Sequence, residues 1–157
     1  MRKSNNPPQP LALSRKTVLT PEQMRTLLDT TAAQREFRDL HDAAKIMERS
    51  GVRPAELANL RWTDFTFHLR VMRVSDQKIG GYRVTIMDPE TVALLQQRRN
   101  CGPDDEFVMG PSPRRTLARA GRQYRDLAPT LGLPRGGLHL LRRRRAGEPE
   151  SPKVSTL

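Results

Sequence analysis

The stretch Ser50-Gly51-Val52-Arg53-Pro54-Ala55-Glu56-Leu57-Ala58-Asn59-Leu60-Arg61-Trp62, SGVRPAELANLRW, decides how the chain is read. Gly51 offers a turn. Pro54 suits the first position of a helix, where its missing N–H would be unpaired anyway. The pattern predicts a helix over 54–61, with Leu57 and Leu60 on one face and Ala58 beside them. Arg53 then stands just before the helix, at its positive end and at a loop mouth. A cation placed there can meet a phosphate.

Upstream, residues 38–49 read as a helix with Leu40, Ala43, Ala44 and Met47 on one side. His41 lies near that stripe and reads as a packed or surface histidine, since no second ligand sits at metal spacing. Earlier still, Leu19-Thr20-Pro21-Glu22-Gln23 is a helix start: Thr20 caps, Pro21 opens, and Gln23 closes a capping box. Met24, Leu27 and Leu28 form its apolar stripe. Residues 1–16 are polar, basic and proline-bearing, and are expected to form a disordered basic arm.

Downstream, residues 65–87 change period. Leu69, Val71 and Arg73 alternate with their neighbours, as do Tyr82, Val84 and Ile86, which predicts an antiparallel hairpin. Its loop, 75–81, carries Lys78, and Phe65 to Phe67 are expected to add a short first strand. Asp88-Pro89-Glu90 opens a helix to about Arg99, with Val92 and Leu95 inward. Phe107, Val108 and Met109 are buried candidates in an otherwise loop-like segment. Over 114–131, at about 100° per residue, Leu117, Ala120, Tyr124, Leu127, Ala128 and Leu131 share one face. Arg114, Arg115, Arg119, Arg122 and Arg125 occupy the other. From His139 a short, very basic helix is expected to run to Gly147, followed by a disordered tail at 146–157. The fold class expected is α+β, mainly helical, with a small antiparallel hairpin or three-stranded sheet.

The formal net charge of the 157 residues is +11, most of it from arginine. Arginine makes bidentate contacts with phosphate that lysine cannot, so the surplus favours a nucleic-acid partner. Composition does not separate DNA from RNA. Cys101 is the single cysteine, which excludes an internal disulfide or a cysteine-cluster metal site and fits the reducing cytoplasm. No apolar run approaches a membrane span, and the first ten residues have no apolar core, so no secretory signal is read there.

The stretch around Arg53 resembles the first arginine motif of tyrosine recombinases, the phage integrase family: T/S-G-x-R-x-x-E-L, ending near L-x-W. Gly51, Arg53, Glu56, Leu57, Leu60 and Trp62 fit it. A hairpin lysine at Lys78 and an H-x-L-R motif at His139-Leu140-Leu141-Arg142 follow in family order. The family's usual K-T-G-K reads here Lys78-Ile79-Gly80-Gly81, and Leu140 stands at its usual aspartate. The resemblance covers most of 19–142. It implies an integrase-type catalytic domain over 17–145, with duplex DNA as partner and no cofactor or metal.

Such enzymes attack a scissile phosphate with a tyrosine hydroxyl, giving a 3′-phosphotyrosine and a free 5′-hydroxyl. Protein cations offset the transition-state charge. By this resemblance Arg53 and Arg142 clamp the non-bridging oxygens and Lys78 protonates the leaving 5′-oxygen. His139 hydrogen-bonds the phosphate and helps move the tyrosine proton. Glu56 is a support that orients the helix or Arg53, not a catalyst. Apart from the resemblance, the basic face with Arg114, Arg115, Arg119 and Arg122 reads either as a solvated surface or as a stripe along a DNA phosphate backbone. The two tyrosines, Tyr82 and Tyr124, both precede His139, and neither matches the family's nucleophile.

The expectation is a truncated catalytic domain that binds DNA and does not cleave alone. The switch from RRRR to GEPESPKVSTL suggests a frameshift or premature stop, and apolar surface left uncovered is expected to promote aggregation or the need for a partner. Two other classes share these features. One is a noncatalytic DNA-binding regulator, associating with a full-length recombinase or with itself. The other is a basic RNA-binding protein.

Overall fold

The computed structural model describes residues 18–76 and 80–142. The expected arm, Lys78, the helix beyond Arg142 and the tail therefore lie outside the described residues.

Helix α1, Pro21–Ala32, begins as its sequence dictates. Thr20 accepts the Gln23 backbone N–H, and the Gln23 side chain accepts the Thr20 N–H, so both capping-box bonds are made. A 3-10 turn, Arg35–Phe37, leads into α2, Arg38–Ser50. Leu40, Ala43, Ala44, Ile46 and Met47 are all buried. This breadth exceeds a single amphipathic stripe because α2 is the central helix. It packs against α1, against the later helices, and against the turn near the end of the described chain. Gly51 ends α2 with φ 74°, in the left-handed region that glycine enters without strain, and its N–H returns to the Met47 carbonyl.

Helix α3, Pro54–Ala58, is shorter than the pattern predicts. The chain leaves it to pair with a distant segment. Val108 N–H donates to the Leu60 carbonyl and Trp62 N–H to that of Glu106. Burial of Val108 and Met109, expected from sequence, accompanies this pairing.

The sheet has three antiparallel strands in the order β1-β2-β3. They are β1, Phe65–Thr66, β2, Val71–Asp76, and β3, Gly81–Ile86. Thr85 lies opposite Met72, and Tyr82 opposite Ser75. Met72 and Val74 face the core, whereas Tyr82, Val84 and Ile86 are exposed on the other side.

Helix α4, Pro89–Cys101, starts on Asp88, whose side chain accepts the Thr91 N–H. Arg98 of α4 bonds Asp42 at 2.8 Å and Asp39 at 2.9 Å, and its Nε bonds the Val108 carbonyl. It thereby ties α4, α2 and the 106–109 segment together. Helix α5, Pro113–Leu131, buries Leu117, Ala120, Gly121, Tyr124 and Ala128.

After α5, the described start of the segment expected to be helical from His139 is not α-helical. Leu138–Leu141 is a 3-10 turn, and Arg142 is extended. Leu138, Leu140 and Leu141 are buried, which fixes this turn by packing and not by helical periodicity. Gly136 has φ 146°, and a Cβ there would lie 2.6 Å from Leu140 Cδ1. At the same end of the molecule, the Leu19 N–H donates to the Leu140 carbonyl at 3.3 Å. No helix among the described residues is long and apolar enough to cross a membrane.

Candidate functional site

A groove of about 800 Å³ opens between the start of α3, the end of β2, one flank of α5 and the 3-10 turn before Arg142. Its wall carries Arg53, His139, Arg114, Arg122 and Arg125, with Glu56 and Asp76 as its carboxylates. Leu117, Ala118, Gly121 and Leu138 form an apolar strip along it. The fold thus brings Arg53 and His139, far apart in sequence, onto one concave surface.

Arg53 precedes α3 in extended backbone, and its side chain is 46 % exposed. Its backbone N–H donates to Glu56 Oε1 at 2.9 Å, but its Nη1 stays 3.9 Å from Oε2. Glu56 thus holds the Arg53 backbone without hydrogen-bonding its guanidinium. His139 is exposed between buried leucines. Packing of its neighbours holds its backbone while the imidazole meets the groove.

Arg142 is not among the residues lining the groove. Its Nε donates to the carbonyl oxygen of Gly51, two residues before Arg53. The two motif arginines are therefore linked through one turn of backbone. Lys78 lies outside the described residues. The nearest described residue before its segment, Asp76, is on the groove wall.

The arginines of α5 divide. Arg114, Arg122 and Arg125 line the groove, and none forms an ion pair among the described residues. Arg119 instead bonds Asp39 of α2 at 2.8 Å. Arg115 is exposed and does not line the groove. Arg125 belongs with the groove set, which a one-face reading of α5 does not single out.

Arg83 was missed as a functional residue in the sequence. It binds both carboxylate oxygens of Glu56, at 2.8 and 2.9 Å. Burial alone would raise the Glu56 carboxyl, but the Arg83 fork and the Arg53 N–H outweigh it and hold it below its ordinary value. Nothing local marks Arg83, since its partner lies on another element; only its charge on the inward side of an alternating strand hints at one.

Neither tyrosine presents a hydroxyl to the groove. Tyr124 is fully buried, and its hydroxyl donates to the Pro134 carbonyl at 2.7 Å. Burial pushes its ionisation up to about 12. Tyr82 lies on the exposed face of β3, with the Arg73 guanidinium 4.4 Å from its ring centre. Chemically, the groove offers guanidinium donors and an imidazole on an open surface, a set suited to phosphate oxygens.

The family model described as the phage integrase family matches residues 17–125. Among solved structures, XerA recombinase is similar at a TM-score of 0.62 and 24 % identity, over 80 % of this chain and 47 % of that one. The Tn1549 transposon integrase, in complex with circular intermediate DNA, gives 0.68 and 21 %, over 88 % of this chain and 55 % of that one. The lambda integrase catalytic core gives 0.61 and 17 %, over 80 % and 78 %. The chain spans about half the length of the first two. No curated protein matches it.

Proposed function

This chain belongs to the phage integrase family, and we propose that it is the phosphate-binding part of a recombinase catalytic domain, acting on duplex DNA in integration and recombination. The convergence of Arg53, His139, Arg114, Arg122 and Arg125 on one groove carries this reading. Its fold is that of recombinases whose solved structures include DNA complexes.

In this reading Arg53 and Arg142 hold the non-bridging oxygens of one phosphate. Arg142 is tied by its Nε to the Gly51 carbonyl in the turn that presents Arg53, so the two arginines share one piece of backbone. His139 donates to the same phosphate, and Lys78 approaches the leaving 5′-oxygen from the hairpin. Arg114, Arg122 and Arg125 contact the flanking backbone. Tyr124, buried and bonded, does not attack. The attacking hydroxyl comes from outside residues 18–142, and the groove alone binds without cutting. The catalytic domain is assigned to 17–145, between the two polar terminal segments.

Titrating a fluorescent duplex of about 30 base pairs tests this. Binding should weaken steeply with salt. Arg53→Ala should weaken it about tenfold, the loss of a charge-assisted contact, and Arg25→Ala, on α1 away from the groove, by much less. Equal effects from the two substitutions would remove the groove from the interface. A suicide substrate, which traps a covalent phosphotyrosine, should give no adduct; an adduct would show that a hydroxyl within this chain attacks. Preference for single-stranded RNA over duplex DNA in competition would favour an RNA-binding role instead.

A further inference from the structure

Arg83 lies on β3, 16 % exposed, and does not line the groove. Its guanidinium takes both oxygens of Glu56, and its Nη1 also lies 3.9 Å from Asp76 at the end of β2. Glu56 is the carboxylate nearest the Arg53 guanidinium, yet the two stay 3.9 Å apart. An exposed arginine beside an unoccupied carboxylate would close into a bidentate pair. Here the carboxylate is already forked from the other side.

We infer that Arg83 is a positioning residue for Arg53: by occupying Glu56 it keeps that carboxylate from capturing the Arg53 guanidinium, which stays open to a phosphate. The same guanidinium, through Asp76, joins this arrangement to the stem of the hairpin that carries Lys78. Lysine could not substitute, because a point charge binds one oxygen at a time and leaves the other for Arg53. The inference rests on the phosphate-clamp reading above and adds to it the residue that maintains the clamp. The depressed Glu56 carboxyl agrees with it, since Glu56 remains an anion that must be occupied.

The test is a rescue. Arg83→Met should weaken duplex-DNA binding about tenfold, as Arg53 turns onto Glu56. Arg83→Met combined with Glu56→Gln removes the captor, and should bring affinity back to within about threefold of the parent. A merely structural role predicts the opposite, a double variant at least as weak as the single one, and that result would overturn the inference. Should Arg83→Met fail to fold, Arg83→Lys takes its place, with a smaller loss and the same rescue. Arg53→Ala separates this from failure of the clamp. If Arg53→Ala leaves DNA binding intact, the clamp reading falls, and the Arg53 Nε–Hε resonance in DNA-free protein then decides. A marked shift in the Arg83 variant, reversed by Glu56→Gln, upholds capture; an unmoved resonance rejects it.

Discussion

Arg142 Nε donates to the carbonyl oxygen of Gly51, so the last described residue is bonded to the turn that presents Arg53. Gly51 holds φ 74°, in the left-handed region, within that turn.

Gly51→Ala should therefore cost about 1–2 kcal/mol of stability, the penalty of a left-handed backbone for a residue with a Cβ. The cost is purely conformational, since a Cβ there would meet no atom within 4 Å. Thermal unfolding of the two proteins checks it. Unchanged stability would mean that the turn adopts another conformation.

Tyr124→Phe should destabilise the fold by about 1–2 kcal/mol, by orphaning the Pro134 carbonyl, while DNA affinity stays the same. The pH dependence has a definite sign. The phenol ionises near 10 when unfolded and at about 12 when folded. Its contribution is fully present below pH 10 and is lost as pH rises toward 12. Denaturant melts from pH 9 to 12 should show a fall that Tyr124→Phe lacks.

Glu56 gives the opposite dependence. Its folded carboxyl is held below its ordinary value, because the Arg83 fork and Arg53 N–H overcome the effect of burial. The stability it contributes is present above the unfolded value, about 4.3, and is lost as pH falls through the lower folded value. Glu56→Gln should cost about 1.5–3 kcal/mol at neutral pH and flatten the acid limb of the stability profile. Urea melts across that range measure both.

The split of the α5 arginines predicts unequal salt effects. Arg122→Ala should reduce the slope of log K against log salt by about one contact. Arg119→Ala, on the flank bonded to Asp39, should change the slope less. Equal changes in anisotropy titrations would place DNA across both flanks of α5.

Local signals carried much of the fold. The Thr20-Pro21-Gln23 start, the alternation over 65–87 and the Tyr124 stripe each depend on neighbours within a few residues. The structure realises them, short first strand included. What escaped depended on remote partners. Helix α3 ends early because Leu60 and Trp62 find Glu106 and Val108. Helical periodicity separates the apolar from the basic side of α5, but not the flank of Arg122 from that of Arg119. The order of Arg53 and His139 in the sequence suggested a shared site; only the fold puts them on one groove. Arg83 had no motif because its meaning comes from Glu56, on another element.

The Leu19–Leu140 hydrogen bond has a mechanical consequence. The chain enters and leaves the described fold at one place, so tension applied to both ends would peel that contact before it loaded the helices. Leu19 and Leu140 would act as a zipper's first tooth. The pull would then reach the turn between His139 and Arg142 ahead of the helices, and the groove would slacken while most of the fold still stood.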